Sequence, residues 1–313
     1  MSEYVHKPVL ASEVLSYLMP GPQASLLLDA TVGQGGHSLL FLNSNPLLHV
    51  IGVDADPRML SYARERLAPH RDRCELVHAW FDEFLVRYDR PRRPDRILMD
   101  LGISMVHLRP EEGAGFSYRD TGAFDMRLNP EEERTAMDAL GTLSESELAD
   151  IIYGYGEERL SRRIARALKE RRREIESAAD AAEVIRTAVP PSYRRGRIHP
   201  ATRTFQALRI WVNRELERLE RAIPRAVELL APGGIIGVIS FHSLEDRIVK
   251  QQFKKLSTSL PDAPTSYDEK DYPVELVTKK PVRPSDGELS DNPASRSAKL
   301  RVARKVAPEG ESR

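Results

Sequence analysis

One stretch, residues 26–37, limits the folds open to this chain more than any other. It begins with three leucines and Asp29, a run that suits a strand buried on both faces of a parallel sheet. Gly33, Gly35 and Gly36 follow, and glycines let the backbone turn sharply and approach a ligand where a Cβ would clash. The stretch therefore predicts a strand, a glycine-rich turn and the start of a helix.

A second apolar run, residues 48–53, supports this interpretation because it also ends in an acid. That acid, Asp54, lies 18 residues beyond Gly36, about where a βαβ nucleotide site places the carboxylate that binds ribose. We predict strands at residues 26–30, 48–53, 74–78, 96–99, 235–239, 274–278 and 299–306. Helical segments separate the early strands, which predicts an α/β fold with a doubly wound parallel sheet and a ligand at the carboxyl ends of its strands.

The charges at these strand ends indicate the class of ligand. Asp29, Asp54 and Asp100 all fall at predicted carboxyl ends. Three carboxylates around one crevice repel a pyrophosphate but attract a ligand that carries an ammonium and a sulfonium, as S-adenosylmethionine does. Ser38 also stands where a dinucleotide-binding motif has its third glycine, which disfavours a dehydrogenase. The alternative is a structural glycine turn without a ligand.

Charge along the chain indicates a second kind of surface. The protein has 47 Lys and Arg against 47 Asp and Glu, so any nucleic-acid surface must be local. Residues 159–203 contain 13 basic and 5 acidic residues, although residues 171–173 fit a solvated helix face equally well. Residues 193–203 are basic and acid-free, which favours contact with backbone phosphates.

The strand–helix alternation stops after Asp100. Residues 109–135 read as a loop or lid, and the pairs Ser144/Glu147 and Asp180/Glu183 are typical of capping boxes that open helices. We therefore predict a discontinuous core of residues 1–108 and 204–313, interrupted at 109–203 by a lid loop and a helical, basic insertion that recognises the substrate. Apolar spacing over residues 205–227 predicts one long helix with a break at Pro224.

Compartment and partners follow from simpler features. Cys74 is the single cysteine, which excludes an intramolecular disulfide and fits a reducing compartment. The first residues lack the pattern of a signal peptide, and no apolar run approaches the ~20 residues of a membrane span, so we expect a cytoplasmic protein. The histidines show no metal-ligand spacing, so no metal is expected. The oligomeric state stays open, with a homodimer among the alternatives.

Nine stretches together resemble a bacterial family, the cytosine-N4 methyltransferases of small-subunit (16S) ribosomal RNA. They are residues 6–10, 29–37, 100–104, 115–118, 125–127, 155–159, 199–209, 239–247 and 292–298. They follow the family's order over nearly the whole chain, and those at 199–209 and 239–247 are the most specific.

The resemblance implies a class I S-adenosylmethionine-dependent methyltransferase core, Rossmann-like, with an inserted helical domain. It implies S-adenosylmethionine as methyl donor and a cytidine of the decoding centre as acceptor. The cofactor contacts carried over by position are Gly35, Gly36, His37, Asp54, Phe81, Asp100 and His107. Phe81 could instead be plain core, and His37 could serve only the start of a helix.

The chain departs from the family pattern after Ser104. Met105, Val106 and His107 stand where the family has Ser, Pro and Gln. A neutral imidazole nitrogen either donates or accepts a hydrogen bond, so it does not reproduce an amide's geometry. This departure keeps one alternative open: a nucleic-acid-binding protein of the same fold with an altered substrate or lost catalysis. A DNA methyltransferase is disfavoured because the chain lacks the Pro-Pro-aromatic motif typical of that class.

The chemistry predicts specific roles at the site. The exocyclic amine of cytosine is a poor nucleophile, and an acceptor on its N–H would orient the lone pair and take up developing positive charge. We assign that catalytic role to Asp100, with Ser240 or His242 opposite; Asp100 serving only the cofactor is the alternative. A cytosine must be unstacked to enter such a crevice. The residues predicted to line the RNA side are Arg194, Arg195, Arg197, His199 and Arg203.

Overall fold

The structure is a computed structural model that describes residues 7–23, 25–109, 114–196, 198–257 and 274–307. It divides into two compact units: Met1–Gly102 with Leu216–Arg313, and Ile103–Glu215. The inserted unit is thus longer at both ends than the predicted 109–203. Its added C-terminal helix belongs there because Phe205, Leu208 and Val212 are buried in the unit's apolar core.

The first unit is built on one seven-stranded sheet. Its strands are β1 (Ser25–Asp29), β2 (Leu48–Asp54), β3 (Cys74–His78), β4 (Arg96–Asp100), β5 (Ile235–Ser240), β6 (Val274–Leu276) and β7 (Lys299–Lys305). Their order is β3-β2-β1-β4-β5-β7-β6, with β7 antiparallel to both neighbours and the pairs among β1 to β5 parallel. The predicted α/β class is confirmed, and the strand order reverses between β1 and β4, where such sheets open a ligand crevice.

Helices account for most of the remaining secondary structure. In chain order they are α1 (Ala11–Leu18), α2 (Gly36–Ser44), α3 (Pro57–Arg66), α4 (Phe81–Val86), α5 (Ala136–Thr142), α6 (Glu145–Gly156), α7 (Ser161–Glu170), α8 (Ala178–Ala188), α9 (Pro191–Arg194), α10 (Thr202–Asn213), α11 (Glu215–Leu229), α12 (Ser243–Ser257) and α13 (Asp286–Asp291). Among the described residues, no helix has both the length and the apolar content needed to cross a membrane.

Strand β1 shows why the leucine run predicts its place so well. Every residue of the strand is buried. Leu26 and Leu28 belong to one apolar cluster and Leu27 to another, because successive side chains point to opposite faces of a sheet. A strand covered on both faces needs apolar residues at every position, and three consecutive leucines meet that need.

The long helix predicted over residues 205–227 is wrong in one respect. The chain breaks at Arg214, which has a left-handed backbone (φ 50°, ψ 35°), while Pro224 lies inside the continuous helix α11. The apolar spacing runs through both helices although they serve different cores. Val212 belongs to the core of the second unit, whereas Leu219 and Ile223 belong to a cluster of the first.

The caps of the inserted helices agree with the sequence in one case and differ in the other. The box of Ser144 and Glu147 opens α6 as predicted. Helix α8 begins three residues earlier than predicted, because Ser177 caps it and Asp180 closes the box from the third helical position. The Asp180/Glu183 pair was therefore a wrong assignment: Asp180 is the partner of a cap and not the cap.

Candidate active site

The glycine turn after β1 has the conformation that its glycines predict. Gly33 (φ 52°) and Gly35 (φ 76°) both lie in the left-handed region, which glycine adopts without a steric penalty. The Gly35 amide donates to the Val32 carbonyl at 2.8 Å, and a Cβ on Gly35 would lie 3.1 Å from the Leu67 side chain. Helix α2 then starts at Gly36, so backbone N–H groups gather at the carboxyl end of β1.

Asp54, at the end of β2, is held in place by the backbone. The Gly33 amide donates to Asp54 Oδ2 at 2.8 Å, and the Asp56 amide donates to Oδ1 at 2.9 Å. These two hydrogen bonds fix the orientation of the carboxylate at the end of β2. This arrangement suits the ribose-binding role predicted for Asp54.

Asp29 is the most deeply buried acid at the strand ends, with 2% of its surface exposed. The Ser38 hydroxyl donates to its Oδ2 at 2.6 Å, and the Thr31 backbone amide also acts on the carboxyl group, but no described donor satisfies Oδ1 with good hydrogen-bond geometry. Burial raises the pKa of Asp29 to about 6, against the opposing effects of the Ser38 hydrogen bond and the nearby His37.

His37 and Asp100 form a second polar pair at these strand ends. His37 Nε2 lies 3.5 Å from Asp100 Oδ2, and both side chains are largely buried. Asp100 Oδ1 accepts no hydrogen bond from any described residue. The two ring nitrogens of His37 likewise form no hydrogen bond with the described residues, because 3.5 Å to Asp100 is an ion-pair distance. The Asp100 amide donates to the Thr31 hydroxyl at 2.6 Å, which ties the end of β4 to the glycine turn.

These unsatisfied oxygens test whether the site suits the predicted cofactor. A buried carboxylate oxygen without a donor is costly, and an ammonium group supplies both N–H donors and positive charge. Asp29 Oδ1 and Asp100 Oδ1 are two such oxygens on strands β1 and β4, which are paired in the sheet. These two acceptor oxygens therefore fit the ammonium of S-adenosylmethionine, which donates, and disfavour an anionic group at the same place.

One residue at the site was missed by sequence reasoning. A Cβ built on Gly36 would lie 3.4 Å from Arg66 Nη1, so this guanidinium lies against the glycine turn. Burial lowers the pKa of Arg66, and its side chain has no ion pair with any described residue. A half-buried cation at a helix start suits a carboxylate ligand. Arg66 lies 30 residues beyond Gly36 on another helix, so no motif indicates it.

The other two predicted cofactor contacts have packing roles. Phe81 is 9% exposed and lies in an apolar cluster of the first unit, as its core alternative predicts. His107 lies in the second unit, in a 3₁₀ turn at Met105–Leu108, where its Nδ1 accepts from the Ser104 amide at 3.1 Å. It also packs 5.3 Å from the Phe116 ring, between centroids. The histidine that departs from the family pattern thus closes a capping box, and both cofactor contacts stay predictions.

Ser240 and His242 are anchored by neighbouring backbone and side chains. Ser240 is 1% exposed, and its hydroxyl donates to the Lys299 carbonyl at 3.4 Å across the β5–β7 pair. His242 Nε2 lies 3.2 Å from Glu245 Oε1, while Glu245 Oε2 accepts the Phe241 amide at 2.8 Å near the start of α12. These contacts stabilise the segment after β5, and the predicted polarising role of both residues stays a prediction.

Two of the arginines predicted on the RNA side have structural partners. Arg194 donates to the Val189 and Thr187 carbonyls, at 3.1 Å each, and so satisfies the C-terminal end of α8. Arg203 Nη1 lies 3.9 Å from Oε2 of Glu158, a fully buried acid that also accepts the Tyr193 hydroxyl.

The remaining residues of that set differ in exposure. Arg195 is exposed, whereas Arg197, like His6 of the first resembling stretch, lies outside the described residues. The His199 ring stacks on Tyr118 with 4.2 Å between centroids and 6° between planes. Burial, together with the charges of Arg186 and Arg119, lowers the pKa of His199 and so favours its neutral ring.

Comparison with known proteins decides the family. Residues 3–306 match the model of a family described as the MraW methylase family. This chain belongs to the MraW methylase family. Because the match spans both the sheet and the inserted helical unit, the MraW methylase family accounts for the whole architecture, and the predicted resemblance is confirmed.

Curated relatives agree with this assignment. A protein of Treponema denticola is 47% identical over 308 residues, covering 96% of this chain and 98% of the relative. Proteins of Synechococcus elongatus and Persephonella marina are 45% and 42% identical, covering 98% and 96% of this chain and 97% and 99% of the relatives. All three are named ribosomal RNA small subunit methyltransferase H.

Proposed function

We propose that this chain transfers a methyl group from S-adenosylmethionine to the exocyclic N4 of one cytidine in small-subunit ribosomal RNA, at the decoding centre. The observation that carries the proposal is the match of residues 3–306 to a methylase family whose curated relatives are named for small-subunit ribosomal RNA. Residues 199–209 and 239–247 support the choice of base through their resemblance to the cytosine-N4 enzymes. The substrate makes the cytoplasm the place of action.

The cofactor would be held by side chains from three strand ends and one helix. Asp54 would accept the ribose hydroxyls, and the amides at Gly35 and Gly36 would contact the amino-acid part. Asp29 would accept the ammonium, joined by Asp100 if Asp100 serves only the cofactor, and Arg66 would donate to the carboxylate. When bound, S-adenosylmethionine supplies an electrophilic methyl group on its sulfonium.

The chain's own contribution to methyl transfer is positioning. An in-line displacement depends on the angle and distance of approach, so holding the cytosine amine in place supplies much of the rate. Asp100 is assigned this task because its Oδ1 lacks a donor and can accept an amine N–H. The second unit, Ile103–Glu215, would bind the RNA around the target base and keep that base unstacked from its neighbours.

The direct test is tritiated methyl transfer to small ribosomal subunits from cells that lack this protein, followed by nucleoside analysis. We expect label in N4-methylcytidine, and subunits that already carry the modification serve as the control. Label in another nucleoside would contradict the base assignment. Absence of label with intact cofactor binding would favour the nucleic-acid-binding alternative.

A second experiment separates the two roles open to Asp100. Asp100→Asn keeps the side chain's shape but is a weaker acceptor, so turnover at saturating cofactor should fall at least tenfold if Asp100 polarises the amine. A variant that loses only cofactor affinity and keeps full turnover would assign Asp100 to the cofactor alone. Isothermal titration and single-turnover kinetics measure the two effects separately.

A further inference from the structure

A groove of about 470 Å³ lies on the second unit, where α6 is followed by α7. Its lining residues are Asp150, Tyr153, Arg159, Leu160, Ser161, Arg162 and Arg163. Ile164 and Leu168 of the same segment are fully buried, so α7 packs its apolar side inward and leaves its arginines at the surface.

The groove carries positive charge that the protein itself does not neutralise. Arg159, Arg162 and Arg163 are exposed, and no described residue forms an ion pair or hydrogen bond with them. By contrast, neighbouring arginines of the unit are paired: Arg166 with Glu145 (3.4 Å), Arg171 with Glu174 (2.7 Å) and Arg186 with Glu183 (2.6 Å). Asp150 is the one acid in the lining, so the groove is a concentrated cationic surface.

An exposed aromatic ring stands among these charges. Tyr153 is 63% exposed although it lies on a helix whose Leu148 and Ile152 are fully buried. A tyrosine ring among unpaired guanidinium groups offers two kinds of flat surface on which an unpaired base can stack, while the arginines reach phosphates. An acidic protein segment would need the charges but not the ring.

The groove adjoins the segment already proposed to contact RNA. Gly156 ends α6, and a Cβ on it would lie 2.5 Å from the Arg203 carbonyl oxygen, so α6 and the start of α10 are in close contact. Glu158, next to Arg159 in the chain, lies 3.9 Å from the Arg203 guanidinium. The His199–Arg203 stretch and the segment that leads into the groove are therefore neighbours in the fold.

We propose that this groove binds a single-stranded segment of the substrate RNA, with one base stacked on Tyr153 and phosphates on Arg159, Arg162 and Arg163. The inference rests on the proposed function for the identity of the RNA. It assigns a contact outside the crevice of the target base, made by a helix pair that the sequence indicated only as a charge run.

The test compares two triple variants that remove equal charge. One replaces Arg159, Arg162 and Arg163 by Gln, and its control replaces by Gln the paired Arg166 and Arg171 together with Arg225 of α11, which pairs with Glu228 at 2.8 Å. Binding of 16S ribosomal RNA is measured over a range of salt, with circular dichroism and thermal melting as checks of folding. The groove variant should bind at least tenfold more weakly, and its salt slope should fall by about 0.7 per lost phosphate contact. The control should change affinity less than threefold.

A pair of tyrosine variants tests the stacking contact. Tyr153→Ala should weaken RNA binding about tenfold with an unchanged salt slope, whereas Tyr153→Phe keeps the ring and should bind like the native protein. Equal loss in both triple variants, or equal loss in both tyrosine variants, would overturn the proposal. Unchanged RNA binding in the groove variants would also overturn it and would direct attention to an acidic protein partner. Because binding is measured without methyl transfer, failure of the proposed function would be seen separately, in the nucleoside analysis.

Discussion

At the scale of the residue, burial changes what each acid at the strand ends can do. Asp54 accepts two backbone amides, while Asp29 is buried with one oxygen unsatisfied, and Asp100 has one oxygen beside His37 and one without a donor. The sequence places all three at strand ends, but their polar neighbours come from the glycine turn, from helix α2 and, for Asp54, also from the Asp56 amide.

Cofactor affinity should rise with pH as Asp29 ionises. Its pKa in the folded protein is about 6, so below that pH its carboxyl is largely neutral and attracts an ammonium weakly. Isothermal titration with S-adenosylmethionine between about pH 5 and pH 8 should show tighter binding through this range. Asp29→Asn should bind weakly and lose this pH dependence; an unchanged dependence in that variant would assign it to another group.

The raised pKa of Asp29 also predicts how the stability of the protein depends on pH. The folded-state pKa of Asp29 lies above its ordinary 3.8, so the folded protein retains a proton that the unfolded chain releases. Stability contributed by this group is therefore lost as pH rises from about 4 through about 6. Without cofactor near pH 7.5, Asp29→Asn should raise the free energy of unfolding by roughly 1–3 kcal/mol. Chemical denaturation measures this difference.

Arg66 should recognise the carboxylate of the cofactor. Arg66→Ala should weaken S-adenosylmethionine binding about tenfold, because a charge-assisted hydrogen bond contributes roughly 1.5–3 kcal/mol. It should not weaken binding of decarboxylated S-adenosylmethionine, which lacks the partner group. Arg64→Ala, an exposed arginine on the same helix, is the matched control. Equal losses for both ligands would mean that Arg66 only supports the glycine turn.

At the scale of the element, periodicity predicted the strands and helices well but not where the chain changes direction. Predicted and observed strands agree to within one or two residues, because buried strands need apolar runs. The break at Arg214 was placed wrongly at Pro224, since apolar spacing continues across it and a left-handed arginine has no sequence signal. The sequence likewise does not predict where two helices approach closely, and only the structure shows that Gly156 lies at such a contact.

Two glycines of helix α6 should respond oppositely to alanine. Gly156→Ala should lower the free energy of unfolding by about 1–3 kcal/mol, because its Cβ would lie 2.5 Å from the Arg203 carbonyl oxygen. Gly154→Ala meets nothing within 4 Å and should stabilise the protein by roughly 0.5–1 kcal/mol through helix propensity. Chemical denaturation compares them, and a stabilised Gly156→Ala variant would show that the helices do not approach so closely.

At the scale of the whole molecule, the chain forms two compact units with separate apolar clusters. The first unit holds the acids and glycines of the crevice, and the second holds the exposed arginines of α7 together with the predicted RNA contacts. A neutral net charge is compatible with RNA binding because positive charge is in excess locally: residues 159–203 contain 13 Lys and Arg against 5 Asp and Glu.

Hydrogen exchange should show which parts of the molecule the cofactor reaches. Saturating S-adenosylmethionine should slow exchange at residues 29–37, 54–56 and 100–102, where the amides hold the predicted binding residues. We also expect protection at residues 104–107, since the family resemblance predicts a contact by His107. Protection limited to the first unit would assign His107 to its capping box alone, and RNA added without cofactor should leave the glycine turn unchanged.

The sequence by itself determined the fold class, the place of the strands and the acids at their ends. These follow from local rules: apolar runs where both faces of a strand are buried, and glycines where the backbone takes a positive φ. Tertiary structure decided the rest. Arg66 contacts the glycine turn from a different helix. Arg194 donates to a backbone carbonyl, and Arg203 lies beside Glu158. Tyr153 lines one groove with the unpaired Arg159, Arg162 and Arg163. Each depends on how separate helices and loops pack, and sequence periodicity does not predict those contacts.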